Sequence, residues 1–213
     1  KRSELANWLF PSGTDGTIDA IGEGGKGASL AVDKEGTPHL AYYDPGSGDL
    51  RYATDDNGKW TTVVVDTEGD VGMAPSVDVS DKGEVLVSYY DASKGDLKLA
   101  ERLSDSTTWI VSVIDSEGDV GKYSSIKAAA DGRLYVAYYD ASKKRLKYAV
   151  RAAGSWKISG FESEAGSDIG SWPALDLDPD GNAHITYYNA TKQDLLHAYQ
   201  TGPEWKIESV DFA

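Results

Sequence analysis

The 213-residue chain carries 35 acidic and 21 basic residues, so its formal net charge is −14 at neutral pH. Nucleic-acid phosphates and anionic lipids bind clustered lysine and arginine, and this charge balance argues against both as partners. The sequence contains no cysteine, which excludes disulfide bonds and thiolate metal sites. Its 23 glycines, 13 tyrosines and 6 tryptophans favour strands joined by tight turns.

The N-terminal segment, residues 1–27, begins KRSELANWLFPSG, and its apolar run WLF ends at Pro11. A run this short predicts neither a signal-peptide core nor membrane insertion. Residues 15–27 match the end of the repeat unit that follows, because Asp19 lies 47 residues before Asp66. The segment is therefore predicted to contain the last strand of a repeat unit.

The first complete unit predicts four short strands. They are SLAVD (29–33), HLAYYD (39–44), LRYATD (50–55) and WTTVVVD (60–66). The connecting residues include Glu-Gly, Pro-Gly and Asn-Gly pairs, which are typical of hairpin turns. No segment shows a sustained apolar period of 3.6 residues, so helices are not expected.

Three further copies of this unit follow. Their first tyrosines are spaced 47, 49 and 49 residues apart, at Tyr42, Tyr89, Tyr138 and Tyr187. Four antiparallel strands per unit at this period predict an all-β fold, a small β-propeller with one unit per blade. The predicted blades are residues 28–72, 73–121, 122–170 and 171–213.

The number of blades remains open at this stage. Four blades could close a ring with residues 1–27 packed outside it. Alternatively, that segment could fill part of a fifth sector or pair with a neighbouring chain to form a homo-oligomer.

The strand order places the ends of the second strands and the loops between units on one rim of the propeller. Three sets of candidate ligand contacts lie there: the second tyrosines Tyr43, Tyr90, Tyr139 and Tyr188, the loop aspartates Asp70, Asp119 and Asp168, and the irregular aromatic residues Tyr123 and Trp172. The last two stand where Met73 and Lys26 occur in other units. Carboxylates and aromatic rings are the groups that bind sugars, but a residue present in every repeat also serves the repeat itself.

Metal binding and catalysis have little support in the sequence. Several rim carboxylates could hold calcium, yet the spacing of Glu68 and Asp70 matches no established set of calcium ligands. The three histidines occupy core-like strand positions, which disfavours a metal triad or a catalytic base. We therefore predict no cofactor and no catalytic residue.

The units VSYYDASKGDLKLA (87–100) and VAYYDASKKRLKYA (136–149) resemble repeats of bacterial secreted or cell-surface β-propeller proteins. This resemblance implies the propeller fold and an extracellular or cell-surface location. TDDNGKW (54–60) is similar to the Asp-box turn of sialidases, where that turn is structural, and the repeat period resembles that of the tachylectin type of lectin.

The sequence thus favours a non-enzymatic extracellular recognition module for a carbohydrate or protein ligand. Two alternatives remain. One is a structural protein that assembles through residues 1–27, and the other is a polysaccharide hydrolase or lyase that uses rim residues such as Tyr139 and Asp119.

Overall fold

A computed structural model describes residues 18–19, 25–56, 58–162 and 165–211. These residues form sixteen β-strands and no helix, so none of them belongs to a helix that could cross a membrane. The strands make four antiparallel sheets, each built from four consecutive strands. The predicted all-β class is therefore confirmed.

The strands follow one another through the sheets in chain order. Sheet 1 contains β1 (Lys26–Val32), β2 (Pro38–Asp44), β3 (Asp49–Asp56) and β4 (Lys59–Asp66). Sheet 2 contains β5 (Val71–Val79), β6 (Val85–Asp91), β7 (Asp96–Arg102) and β8 (Ile110–Asp115). Sheet 3 contains β9 (Val120–Ala128), β10 (Leu134–Asp140), β11 (Arg145–Ala152) and β12 (Ser155–Gly160). Sheet 4 contains β13 (Ile169–Leu177), β14 (Ala183–Asn189), β15 (Asp194–Thr201) and β16 (Glu204–Ser209).

Local turn chemistry sets the strand boundaries. After β1, the carboxylate of Asp33 accepts hydrogen bonds from the backbone amides of Glu35 and Thr37. Gly36 has a φ of 87°, a left-handed conformation that glycine adopts without steric cost. The four strands predicted for this unit agree with β1 to β4 to within about three residues at each end. Asn57, in the turn that resembles an Asp box, lies outside the described residues.

Serine side chains connect the first strands of successive sheets. The hydroxyl oxygens of Ser29, Ser76 and Ser125 accept hydrogen bonds from the backbone amides of Val77, Ile126 and Leu175, at 3.1, 3.1 and 3.0 Å. Each serine belongs to one sheet, and its partner amide belongs to the next. The sheets therefore stack in chain order, with β1, β5, β9 and β13 side by side.

Loop glycines allow the sheets to approach closely. A Cβ atom on Gly121, for example, would lie 2.7 Å from the Cα atom of Leu97 in the preceding sheet. Gly72 and Gly170 make the same approach to Leu50 and Leu146. All three leucines have 0% exposure, so glycine is needed to bury them.

The two ends of the stack expose apolar side chains that are buried elsewhere. Leu30 is 62% exposed in sheet 1, whereas its equivalents in the later sheets are at most 6% exposed: Val77, Ile126 and Leu175. In sheet 4, Leu195 is 41% exposed, although the three leucines at the same register are fully buried. The four sheets therefore pack in sequence without covering these two outer faces.

Candidate functional site

A buried cluster of tyrosine, lysine and aspartate joins sheet 1 to sheet 2. The hydroxyl of Tyr89 donates a hydrogen bond to Asp66 Oδ2 at 2.6 Å, and Lys98 donates to the same oxygen. Tyr89 and Lys98 belong to sheet 2, whereas Asp66 ends the last strand of sheet 1. All three residues are at most 8% exposed, so their charges are shielded from water and interact strongly.

The same cluster recurs at two other places. Its members are Tyr138, Lys147 and Asp115 between sheets 2 and 3, and Tyr42, Arg51 and Asp19 at the outer face of sheet 1. The Tyr42 hydroxyl lies 2.6 Å from Asp19 Oδ2. Asp19 thus makes the same kind of contact as Asp66, the residue 47 positions later, while residues 20–24 of the predicted N-terminal strand lie outside the described residues.

Hydrogen bonds keep the buried aspartates ionised. Burial raises the pKa of Asp115, but hydrogen bonds from Lys147 and Tyr138 more than offset that effect, and the pKa is lowered overall. The pKa of Tyr138 is raised by burial and by its bond to Asp115. The cluster is therefore a stable ion pair with a neutral phenol, which indicates a structural role.

The second tyrosines and the loop aspartates form another series of contacts. Their hydrogen bonds are Tyr43 to Asp70 at 2.5 Å, Tyr90 to Asp119 at 2.7 Å and Tyr139 to Asp168 at 2.7 Å. The backbone amide of each aspartate also donates to a hydroxyl of the following sheet, on Ser93, Ser142 and Thr191. These candidate contacts therefore bind one another across the sheet boundaries.

One second tyrosine departs from this pairing, and the pairing itself has a chemical consequence. Tyr188 has the same register as the other second tyrosines but forms no hydrogen bond with a described residue, because no loop aspartate follows sheet 4 in the described part of the chain. Where the pairing is present, the aspartate stabilises the protonated phenol: the bond to Asp70, together with burial, raises the pKa of Tyr43 to about 12.

Tyr123 and Trp172 form an aromatic surface across sheets 3 and 4. Their ring centroids lie 5.0 Å apart, and the ring of Tyr188 lies 6.0 Å from that of Trp172. Trp172 is 60% exposed, and both Tyr123 and Trp172 have left-handed backbones, with φ of 58° and 49°. This conformation costs a non-glycine residue about 1–2 kcal/mol.

The structure corrects the register assigned to these two aromatic residues. Each lies two positions after a loop glycine, so its equivalents are Ala74 and Gly27 rather than Met73 and Lys26. Ala74 and Gly27 share the left-handed conformation, with φ of 46° and 68°. The side chain at this register position therefore changes from none in sheet 1 to a large aromatic ring in sheets 3 and 4, on a backbone suited to glycine.

Lys122 brings a charge to the edge of this aromatic surface. Its Nζ atom lies 2.6 Å from Asp119 Oδ2 and 5.3 Å from the ring centroid of Tyr90. A cavity of about 160 Å³ adjoins them, lined by Met73, Ala74, Tyr90, Lys122 and Tyr123. Sequence reasoning did not select Lys122, although its position three residues after Asp119 was a usable signal.

The predicted contacts thus divide into two groups. Tyr90, Asp119, Tyr123, Trp172 and Tyr188 lie along the boundaries of sheets 2, 3 and 4, next to the exposed rings. Tyr139 and Asp168 join sheets 3 and 4, which carry these rings, whereas the pair Tyr43 and Asp70 has Ala74 rather than an aromatic residue at the register of Trp172.

A larger cavity, of about 420 Å³, lies at the opposite ends of the strands. Charged residues of both signs line it, including Asp78, Lys127, Arg133 and Asp176. The carboxylate of Asp78 already accepts a hydrogen bond from the backbone amide of Ala128. None of the predicted site residues borders this cavity, and no group of three or more metal-binding side chains occurs in the described ranges.

Comparisons with known proteins identify the architecture. No protein-family profile matches the sequence, and no curated protein is significantly similar to it. The chain is similar to a protein from Dyadobacter fermentans, with a TM-score of 0.65 and 13% identity over 87% of this chain and 68% of that one. It is also similar to an α-L-arabinofuranosidase from Fusarium graminearum, with a TM-score of 0.62 and 12% identity over 86% and 65% of the two chains.

A third similar structure is the fucose-specific lectin of Aleuria aurantia, with a TM-score of 0.59 and 16% identity over 85% of this chain and 59% of the lectin. The chain therefore spans roughly two thirds or less of these structures. At such low identity the similarity shows the fold alone: four antiparallel sheets stacked in chain order have the architecture of a β-propeller.

Proposed function

We propose that the protein binds carbohydrate through the aromatic surface formed by Tyr123 and Trp172. The observation that carries the proposal is Trp172 itself, which is 60% exposed, packed at a tilt against the ring of Tyr123 and held at a φ of 49°. Burial in the core does not explain an exposed indole, and backbone strain of this kind is concentrated at functional sites.

The chemistry of the surface suits a sugar. An indole or phenol ring packs against the C–H face of a pyranose, and adjacent polar groups bind the hydroxyls. Here the carboxylate of Asp119 accepts hydrogen bonds, and the ammonium of Lys122 donates them. Hydrogen bonds from Lys122 and Tyr90 outweigh the effect of burial and lower the pKa of Asp119, so its carboxylate is ionised at neutral pH.

Similar structures support the same class of ligand. One is described as a fucose-specific lectin and another as an arabinofuranosidase, so related propellers bind or cleave sugars. We extend this to a carbohydrate-binding role, and with it an extracellular setting, for this chain. The identity of the sugar is not part of the proposal.

A glycan array followed by calorimetry tests the proposal. Trp172→Gly removes the indole and also relieves the left-handed strain, so we expect sugar binding to be lost without a decrease in stability. Ala153→Gly is the matched control, because Ala153 has a φ of 48° in the exposed turn between β11 and β12, at the opposite ends of the strands from the aromatic surface. It relieves comparable strain and should leave binding intact.

Three outcomes would count against the proposal. They are the absence of binding to any glycan, unchanged binding by Trp172→Gly, and equal losses in the two variants. Release of reducing sugar from a bound polysaccharide would instead support the hydrolase alternative.

Assembly with a second copy is the other candidate function, and the exposed apolar ends of the stack favour it. Leu30 and Val32 are 62% and 59% exposed on sheet 1, and Leu195 is 41% exposed on sheet 4. Each equivalent of Leu30 and Leu195 in the middle of the stack is covered by a neighbouring sheet. Head-to-tail contact between two copies would bury these side chains in the same way.

Light scattering tests the assembly. Leu30→Asp and deletion of residues 1–27 should each convert an oligomer to a monomer. Leu103→Asp, at a loop leucine that is 43% exposed, should leave the mass unchanged. A monomeric wild-type protein would exclude this second function.

A further inference from the structure

The boundary between sheets 3 and 4 lacks the charged cluster that joins the other sheets. Leu196 stands where Lys98 and Lys147 stand in sheets 2 and 3. Asn189 likewise replaces the buried carboxylates of Asp91 and Asp140. A cation and an anion are therefore lost together, which leaves this part of the boundary without buried charge.

The aspartate of the cluster is also displaced. Counted from the fourth strand, Glu162 follows the buried Phe161 just as Asp115 follows the buried Ile114. The Glu162 side chain is 94% exposed and lies 3.8 Å from Arg145. The loop EAGSD, two residues longer than EGD in the preceding units, accompanies this change.

Tyr187 loses its partner as a result. Tyr89 and Tyr138 donate to buried aspartates, but the hydroxyl of Tyr187 is buried without a hydrogen-bond partner among the described residues. The residue is only 1% exposed, and its ring lies 6.4 Å from that of Phe161. An unpaired buried hydroxyl is unfavourable, so its retention where phenylalanine would fit requires a reason.

A cavity of about 150 Å³ lies at this altered boundary. Among the described residues it is lined by the apolar side chains of Ile169, Leu196 and Ile207, by Tyr187, by the polar residues Ser167 and Asn189, and by the charged, solvent-exposed residues Glu162 and Lys192. An engineered protein cavity of about the same volume holds one benzene ring. The space therefore accommodates a single six-membered ring.

We propose that this cavity binds one neutral sugar ring, at a second site separate from the Trp172 surface. The absence of buried charge disfavours an ionic ligand, the three aliphatic side chains cover the apolar face of a pyranose, and the Tyr187 hydroxyl pairs with a ring hydroxyl. The choice of a sugar rests on the proposed function, whereas the ring-sized site without buried charge rests on the cavity alone.

NMR titration of the full chain with methyl pyranosides of glucose, galactose, mannose and fucose tests the site. The methyl resonances of Ile169 and Ile207 are the reporters, and benzene is the apolar comparison ligand. We expect at least one pyranoside to shift both methyl resonances in a saturable manner. Shifts with benzene alone, or with no probe, would overturn the inference.

Two variants assign these shifts to the cavity. Tyr187→Phe should weaken pyranoside binding about three- to tenfold, the value of one neutral hydrogen bond, without lowering the melting temperature. Leu196→Lys should fill the cavity with the side chain found at the other boundaries and abolish the shifts. Unchanged binding in a folded Tyr187→Phe protein would refute the role of the hydroxyl and the proposal with it.

Trp172→Gly distinguishes this inference from the proposed function. Shifts of the Ile169 and Ile207 methyl resonances that persist in Trp172→Gly would support an independent second site. If every sugar response is lost in Trp172→Gly, the aromatic surface is the binding site and the cavity proposal fails. If the cavity responds and the aromatic surface does not, the cavity proposal holds and the proposed function fails.

Discussion

Removal of a single hydroxyl at equivalent positions should affect stability in different ways at two sheet boundaries. Tyr138→Phe deletes the 2.7 Å hydrogen bond to the carboxylate of Asp115, in a cluster that is at most 6% exposed. Tyr187→Phe deletes a hydroxyl that has no hydrogen-bond partner in the part of the chain that the structure describes. The two substitutions are chemically identical, so the difference between them isolates the hydrogen bond.

The expected loss of stability in each variant depends on the hydrogen-bond partner of the deleted hydroxyl. A hydrogen bond to a charged group contributes about 1.5–3 kcal/mol. Because Asp115 keeps its bonds to Lys147 and to the backbone amide of Glu117, we expect the lower half of that range for Tyr138→Phe. For a chain of this size, each kcal/mol corresponds to a shift of about 2–4 °C in melting temperature, hence a decrease of about 3–8 °C. Tyr187→Phe should be neutral or stabilising by up to about 1 kcal/mol.

Urea denaturation followed by tryptophan fluorescence, together with calorimetry, measures both variants. The slope of unfolding free energy against urea concentration should match that of the wild type, so that differences in midpoint report native-state stability. Equal destabilisation by the two variants would refute the reasoning, since Tyr187 would then have a partner equivalent to Asp115. A loss of less than about 0.5 kcal/mol for Tyr138→Phe would show that the buried cluster contributes little.

Two further predictions concern pH and packing. The pKa of Asp115 is lowered in the folded protein, so the unfolded chain binds more protons in acid. The contribution of Asp115 to folding stability is therefore present above about pH 4 and is lost as the pH falls through the folded pKa. Acid titration of Asp115→Asn, monitored by circular dichroism, should show a shallower loss of stability than the wild type, and an identical slope would contradict this. Gly121→Ala places a Cβ atom 2.7 Å from the Leu97 backbone, whereas Gly132→Ala has open space at a similarly left-handed φ of 85°. In chemical denaturation, the free energy of unfolding should decrease by about 1 kcal/mol for Gly132→Ala and by several kcal/mol for Gly121→Ala. Equal decreases would show that the close approach to Leu97 is unimportant.

The sequence determined the local architecture because the repeat makes the local signals agree. The tyrosine spacing and the turn residues around Gly36 predict the same strands, and the structure has strands at those positions. The spacing of Asp19 from Asp66 marked it as an equivalent position in the repeat, and the structure gives both aspartates the same kind of tyrosine partner, since equivalent positions in a repeat meet equivalent neighbours.

The candidate site was only partly predictable. The loop aspartates and second tyrosines were selected as ligand contacts, but a sequence does not show that Asp119 and Tyr90 bind each other. The backbone strain at Trp172 was equally hidden, because counting from the loop glycine aligns it with Gly27 but does not reveal a left-handed backbone.

Only the tertiary structure decided which residues break the pattern in space. The sequence shows three separate departures from the repeat, at Leu196, Asn189 and Glu162. In the structure they lie together, where the Tyr187 hydroxyl has lost its partner and a cavity is present. The exposed Leu30 and Leu195 likewise become informative only once their buried equivalents are known. The sequence by itself determines the strands and their order, because hydrogen bonding within a repeat is local. Hydrogen bonds between sheets, in contrast, join residues 23 to 50 positions apart, and only the folded structure shows which of them are formed.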